Sequence, residues 1–148
     1  MKIERFEDSL AWQRARALNK SLYEVIRSAP CSGDREFCAQ LRRASLSVMN
    51  NIAEGFERHG LRDQMNFLTI SKGSAGEVRS MLYAAFDLGY IDEARFASLK
   101  GVAEEVSRLL SSWRGALGRQ LRGGVLQEEP LEWDPPAEAQ YDGADALD

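Results

Sequence analysis

The residues with the greatest chemical capacity lie in Asn50–Gly55, "NNIAEG", where two amides and a carboxylate surround Ile52 and Ala53. Asn is a mediocre helix former and Glu is rarely fully buried. In a core-facing helix such a set is either a site or a structural device. Its carboxylate, Glu54, has a counterpart in Glu77 of "KGSAGE", but antiparallel helices would hold the two several turns apart, too far for paired acid–base work. The single histidine, His59, sits in a turn between Arg58 and Arg62 with no Ser or Cys to activate. Two cysteines, Cys31 and Cys38, fall short of the four close-spaced ligands of a zinc site and read as reduced thiols. "GSAG" lacks the spacing and preceding strand of a phosphate loop. The expectation is a protein without catalysis, metal or cofactor.

The elements that carry these residues are helices. Apolar side chains recur at steps of three and four, and no segment alternates with period two. A first helix is expected from about Asp8 to Ser28, with Leu10, Ala15, Leu18, Leu22, Val25 and Ile26 on one stripe and Trp12 and Tyr23 beside it. "APCSGD" breaks it, and Asp34 can cap a second helix, from about Arg35 to Arg58. After a turn at Gly60 a third runs from about Leu61 to Leu88. Gly89 suits the left-handed position that closes it. Asp92 then caps a fourth, to about Leu121. Four helices with short connections form an all-α, antiparallel up-down-up-down four-helix bundle over residues 1–122.

In a hairpin turning at residues 59–61, positions whose numbers sum to about 120 face each other. Glu54 then lies near Asn66, Asn51 near Thr69, Ser47 near Gly73, and Arg43 near Glu77. Gly73 and Gly76 each cost about 1 kcal/mol inside a helix, which a close helix crossing would justify. Arg43, Ser47, Asn51, Glu54, Gly73, Ser74 and Glu77 are therefore read as a structural polar lock that sets register.

All 19 Lys and Arg lie in residues 1–124, where 15 acids leave a net +4, while residues 125–148 carry eight acids and no base. The sequence from Gly123 to Asp148 reads as an acidic, proline-containing disordered tail, with Leu126, Leu131, Trp133 and Tyr141 as incidental apolar residues or anchors. No apolar run is long enough for a signal peptide or a membrane span, so a soluble, cytoplasmic protein is expected.

"FEDSLAWQRARALNKSLYEV", "QLRRASLSVMNNIAEG" and "NFLTISKGSAGEVRSMLYAAFDLGYI" together resemble the four-helix-bundle proteins encoded by ribosomal-RNA intervening sequences. The residues that carry the resemblance are Phe6 with Trp12 and Gln13, Gln40 to Ala44, Asn51 to Gly55, and Gly73 to Glu77. They stand in order over about residues 5–118. Ser9-Leu10 departs from the usual position of the leucine, and the acidic tail extends past the family's usual end. The resemblance implies a homo-pentamer without known catalysis. It also implies a distant relation to the accessory variability determinant of diversity-generating retroelements, which binds nucleic acid and a reverse transcriptase.

Two functions follow as expectations. One is RNA or DNA binding through arginine-rich faces drawn from Arg14, Arg16, Arg42, Arg43, Arg58, Arg62, Arg108, Arg114, Arg119 and Arg122, amplified in a ring. The other is an accessory or scaffold subunit for a protein partner such as a reverse transcriptase. Surplus apolar residues, Phe6, Trp12, Leu61, Phe67, Tyr83, Phe86 and Tyr90, would serve its interface.

Overall fold

The computed structural model describes residues 3–124. Four helices, α1 (Leu10–Arg27), α2 (Arg35–Glu57), α3 (Leu61–Asp87) and α4 (Glu93–Gly124), are accompanied by 3-10 turns at Phe6–Asp8 and Cys31–Gly33. Successive helices pack on one another and α4 returns to α1, which closes an up-down-up-down bundle with no strand among the described residues. The tail expected from Gly123 lies, from residue 125 onward, outside them. None of the described helices is long and apolar enough to cross a membrane.

Local chemistry sets the helix ends. Ser9 caps α1 by accepting from Trp12 N at 3.5 Å, Asp34 caps α2 by accepting from Phe37 N at 3.1 Å, and Asp92 accepts from Arg95 N at 2.7 Å ahead of α4. Gly89 takes φ +74° after α3. Its N–H bonds Phe86 O at 3.0 Å and that of Tyr90 bonds Ala85 O at 2.8 Å, the paired closure of a Schellman motif.

The core is aliphatic: Leu18, Leu22, Leu41, Ile52, Leu82 and Leu110 are fully enclosed. Burying each such side chain contributes about 1.5–3 kcal/mol. Leu10, expected on the inner stripe of α1, is instead 48% exposed. The stripe runs through Ala11, Ala15, Leu18 and Leu22, and a step of five from Leu10 to Ala15 turns Leu10 away from it. Of the apolar residues assigned to an interface, Phe67 is buried and Trp12, Leu61 and Tyr90 pack against the core. Tyr83 and Phe86 remain exposed.

The glycines divide differently from the sequence reading. A Cβ on Gly73 or Gly76 would meet nothing within 4 Å. Gly73 is exposed because Ser71, Ala75 and Val78 are the residues that α3 turns inward. The close approach of α2 and α3 occurs at Gly55, where a Cβ would lie 2.9 Å from Phe67 Cβ and 3.3 Å from Gln64 O.

At the opposite end, Tyr90 Oη donates to Asp34 Oδ2 at 2.7 Å and ties the α3–α4 turn to the α1–α2 turn. That bond is the main reason the Asp34 carboxyl lies below its ordinary value, with the Phe37 N–H second. The same bond pushes the Tyr90 phenol up to about 12. Under the α1–α2 turn, Cys31 and Cys38 are free and buried, with their sulfurs 3.7 Å apart. Burial first, then the neighbouring thiol, pushes Cys31 up to about 12.

Two predictions follow from these contacts. Gly55→Ala should destabilise the protein by about 1–3 kcal/mol through overpacking. Gly73→Ala should stabilise it by up to about 1 kcal/mol through helix propensity. Urea unfolding measures both, and equal effects at the two glycines would contradict the assignment. The second concerns pH. Because the folded pKa of Asp34 is lowered, its stabilising share is present above the ordinary carboxyl value of about 3.9 and is lost as pH falls through the lowered one. Because that of Tyr90 is raised, its share is complete below about pH 10 and is lost as pH rises toward 12. The stability difference between wild type and Tyr90→Phe should be flat at intermediate pH and shrink at both extremes. A pH-independent difference would contradict the bond.

Candidate functional site

The α2–α3 seam gathers the polar residues singled out in the sequence, with partners that differ in detail. Ser47 Oγ and Ser74 Oγ lie 2.7 Å apart across the helices. Asn51 Nδ2 donates to Ser47 O at 2.8 Å and Ser47 Oγ at 3.0 Å, so it braces the serine pair from within α2 instead of reaching Thr69. Thr69 Oγ1 donates to Met65 O of its own helix. Glu77 accepts from Gln40 Nε2 at 2.6 Å, and Arg43 donates to Gln40 Oε1 at 2.9 Å. The expected Arg43–Glu77 pair is thus relayed through an amide. Glu54 turns outward to Arg58 at 2.7 Å rather than toward Asn66, and Gly73 takes no part in the crossing.

Sequence reasoning missed two members of this seam. Ser71 is fully buried and donates to Val48 O at 2.6 Å, and Gln40 supplies the relay. A serine at an inward position of α3, between Leu68 and Ala75, was the available signal. From the buried Ser71 to the exposed Gln40 and Glu77, the seam's amides and hydroxyls satisfy each other. Among the described residues no group of three His, Cys, Asp or Glu is placed to hold a metal ion.

The arginines do not form one surface. Arg14 pairs with Glu105 at 3.1 Å, and Arg58 is held by Glu54 with its guanidinium 4.8 Å from the Phe67 ring centre. Arg119 and Arg122 lie back along α4, their Nη1 atoms 3.4 and 3.6 Å from where side chains at Gly115 and Gly118 would begin. Arg108 is exposed on the same helix, and Arg62 is exposed on the first turn of α3. Arg114 is half-buried, and its Nε has no hydrogen-bond partner among the described residues.

A different basic cluster forms across α1 and α2. Tyr23 carries two guanidiniums against its ring, Arg27 at 5.5 Å and Arg42 at 5.8 Å from the centre. Arg16 lies 5.7 Å from the Trp12 ring centre two turns earlier on α1. Exposed Lys20 and Arg35 share this side by helical spacing, at three before Tyr23 and seven before Arg42. The register that creates it is held by Ser45 Oγ donating to Asn19 Oδ1 at 2.8 Å, while the Cys38 thiol, whose nearer acceptor is Cys31 O at 3.1 Å, packs 3.7 Å from Ile26 O. None of Arg16, Arg27 and Arg42 pairs with a carboxylate among the described residues. Glu24, the acid next to Tyr23, is directed to Arg95 of α4 at 2.9 Å. Guanidiniums stacked on rings keep their N–H edges available, an arrangement suited to phosphate oxygens. Tyr23, Lys20, Arg27 and Arg35 were not among the sequence-based site residues. Only the α1–α2 register brings Arg27 and Arg42 to one ring.

The bundle is similar to a crystal structure of a protein with unknown function from the S23 ribosomal protein family of Bacteroides thetaiotaomicron, with a TM-score of 0.67. The two are 19% identical, over 73% of this chain and 97% of that chain, which is a likeness of fold. A search of curated proteins finds no match. A family model, 23S rRNA-intervening sequence protein, matches residues 7–112, from the turn before α1 to the middle of α4. The chain therefore belongs to the 23S rRNA-intervening sequence protein family.

Proposed function

We propose that this protein is a non-catalytic, oligomeric bundle that associates with RNA or DNA through the α1–α2 face. The observation that carries the reading is the Arg27–Tyr23–Arg42 cluster, two ring-held guanidiniums with no carboxylate partner among the described residues. Phosphate contacts from arginines position a nucleic acid without reading its sequence, and they release counterions. Assembly into a ring, the state implied by the family resemblance, repeats this face and deepens its field. Buried free thiols at Cys31 and Cys38 suit a reducing, cytoplasmic setting.

A second reading has its own support. Tyr83 and Phe86 are 49% and 40% exposed; Tyr83 meets Phe96 edge-on at 4.8 Å and Phe86 stacks on it at 5.3 Å, with Lys100 beside them. Such a patch suits a scaffold or accessory subunit that docks on a protein, a reverse transcriptase among the possible partners, or on a further copy of the chain.

Fluorescence anisotropy with labelled RNA and DNA, between about 50 and 200 mM salt, tests the first reading. Arg27→Ala with Arg42→Ala should weaken binding and reduce the log–log salt slope by about 1.5. Arg58→Ala, whose side chain is already paired, should leave the slope unchanged. Binding that is absent at low salt, or equally sensitive to Arg58, would overturn the α1–α2 assignment and favour the aromatic patch.

A further inference from the structure

At the end of the bundle where α2 closes, α3 opens and α4 runs out, a groove of about 600 Å3 lies between Phe56, Leu61, Trp113 and Leu117, with Gln64 and Gln120 on its rim. Phe56 and Trp113, both on its lining, meet edge-on with ring centres 6.4 Å apart. Its size is that of cavities that receive a bulky organic group, and its walls are mainly apolar. No residue of the described chain fills it.

Three observations point to one occupant. The first is position. Leu117 and Trp113 lie about 10 and 16 Å back along α4 from Gly124 at 1.5 Å per residue. The chain continues beyond Gly124 to Asp148, and seven extended residues span about 23 Å. A reversal at Gly123-Gly124 therefore gives residues near 131 more than enough reach to the groove. Pro130 opposes continuation of α4 in its own direction.

The second is charge. From Val106 onward α4 carries Arg108, Arg114, Arg119 and Arg122 and no acid, whereas residues 125–148 carry eight acids and no base. Arg114, next to Trp113, has a buried Nε without a hydrogen-bond partner among the described residues. The acid on the groove lining is Glu4. The third is chemistry. The sequence "LQEEPLEW" places Leu131 and Trp133, two good anchors for an apolar groove, among Glu128, Glu129 and Glu132.

We propose that this groove is the docking site of the chain's own segment Leu126–Trp133. Leu131 and Trp133 insert against Phe56, Leu61 and Trp113, and the flanking glutamates face Arg114 beside the groove. This does not depend on the α1–α2 face binding nucleic acid.

The full chain labelled with 5-fluorotryptophan gives one fluorine resonance each for Trp12, Trp113 and Trp133, assigned by single Trp→Phe variants. The Trp133 resonance should lie away from its position in concentrated urea and return toward it in Leu131→Ala, in Leu61→Ser and at high salt. Far-UV circular dichroism of each variant should keep its native helicity and report an intact fold. If Leu61→Ser loses helicity, the groove variant has unfolded and Leu131→Ala, which alters only the segment, decides. A Trp133 resonance already at its urea position in the native chain would overturn the proposal. So would a displacement that disappears on dilution, which would assign the groove to a second copy.

Discussion

The α2–α3 seam constrains everything else in this molecule. Gly55 lets the two backbones come within contact of Phe67 and Gln64 beside the turn, where any side chain would collide. From there the helices stay in register through Ser71 on the Val48 carbonyl, Ser47 on Ser74, and Gln40 on Glu77. A neutral hydrogen bond of this kind contributes only about 0.5–1.5 kcal/mol net. Leaving a buried hydroxyl or carbonyl unpaired costs about 1–3 kcal/mol, so a slipped register is penalised more than the correct one is favoured. The apolar core supplies most of the stability, and the polar seam selects which packing it adopts.

With that hairpin fixed, the other two helices have little choice. α1 docks on α2 through Asn19–Ser45 and the Cys38–Ile26 contact, and α4 returns against α3 and α1. The Tyr90–Asp34 bond then joins the two turns at the end away from Gly55. The basic α1–α2 face is a product of this arrangement, because Arg27 and Arg42 belong to different helices and meet only across Tyr23. Stability and the proposed binding surface are therefore built from separate residues, which leaves the surface open to substitution without loss of fold.

Much of the architecture was legible in the sequence because its signals are local. Steps of three and four give the helices, and Asp34, Asp92 and Gly89 mark boundaries through capping and a left-handed turn. The antiparallel register followed from the short turn near Gly60, and it predicted the Ser47 neighbourhood to within a residue. What was illegible depends on which side of a helix faces a neighbour. Gly55 and Gly73 look alike as helical glycines, yet one has a backbone against it and the other has solvent. Leu10 looked like core because it is apolar and adjacent to the stripe, but one residue is a rotation of about 100°. The arginine set divides for the same reason: Arg14 and Arg58 are paired with carboxylates while Arg16 and Arg42 lie against aromatic rings, and composition does not show which is which.

The most direct measurement of the central claim is a double-mutant cycle on Ser47→Ala and Ser74→Ala by equilibrium urea unfolding, with nucleic-acid affinity measured on the same four proteins. A structural seam predicts that the two substitutions couple by about 0.5–1.5 kcal/mol in stability while affinity stays unchanged. Additive stability effects accompanied by lost affinity would contradict it and return the "NNIAEG" neighbourhood to the status of a binding site.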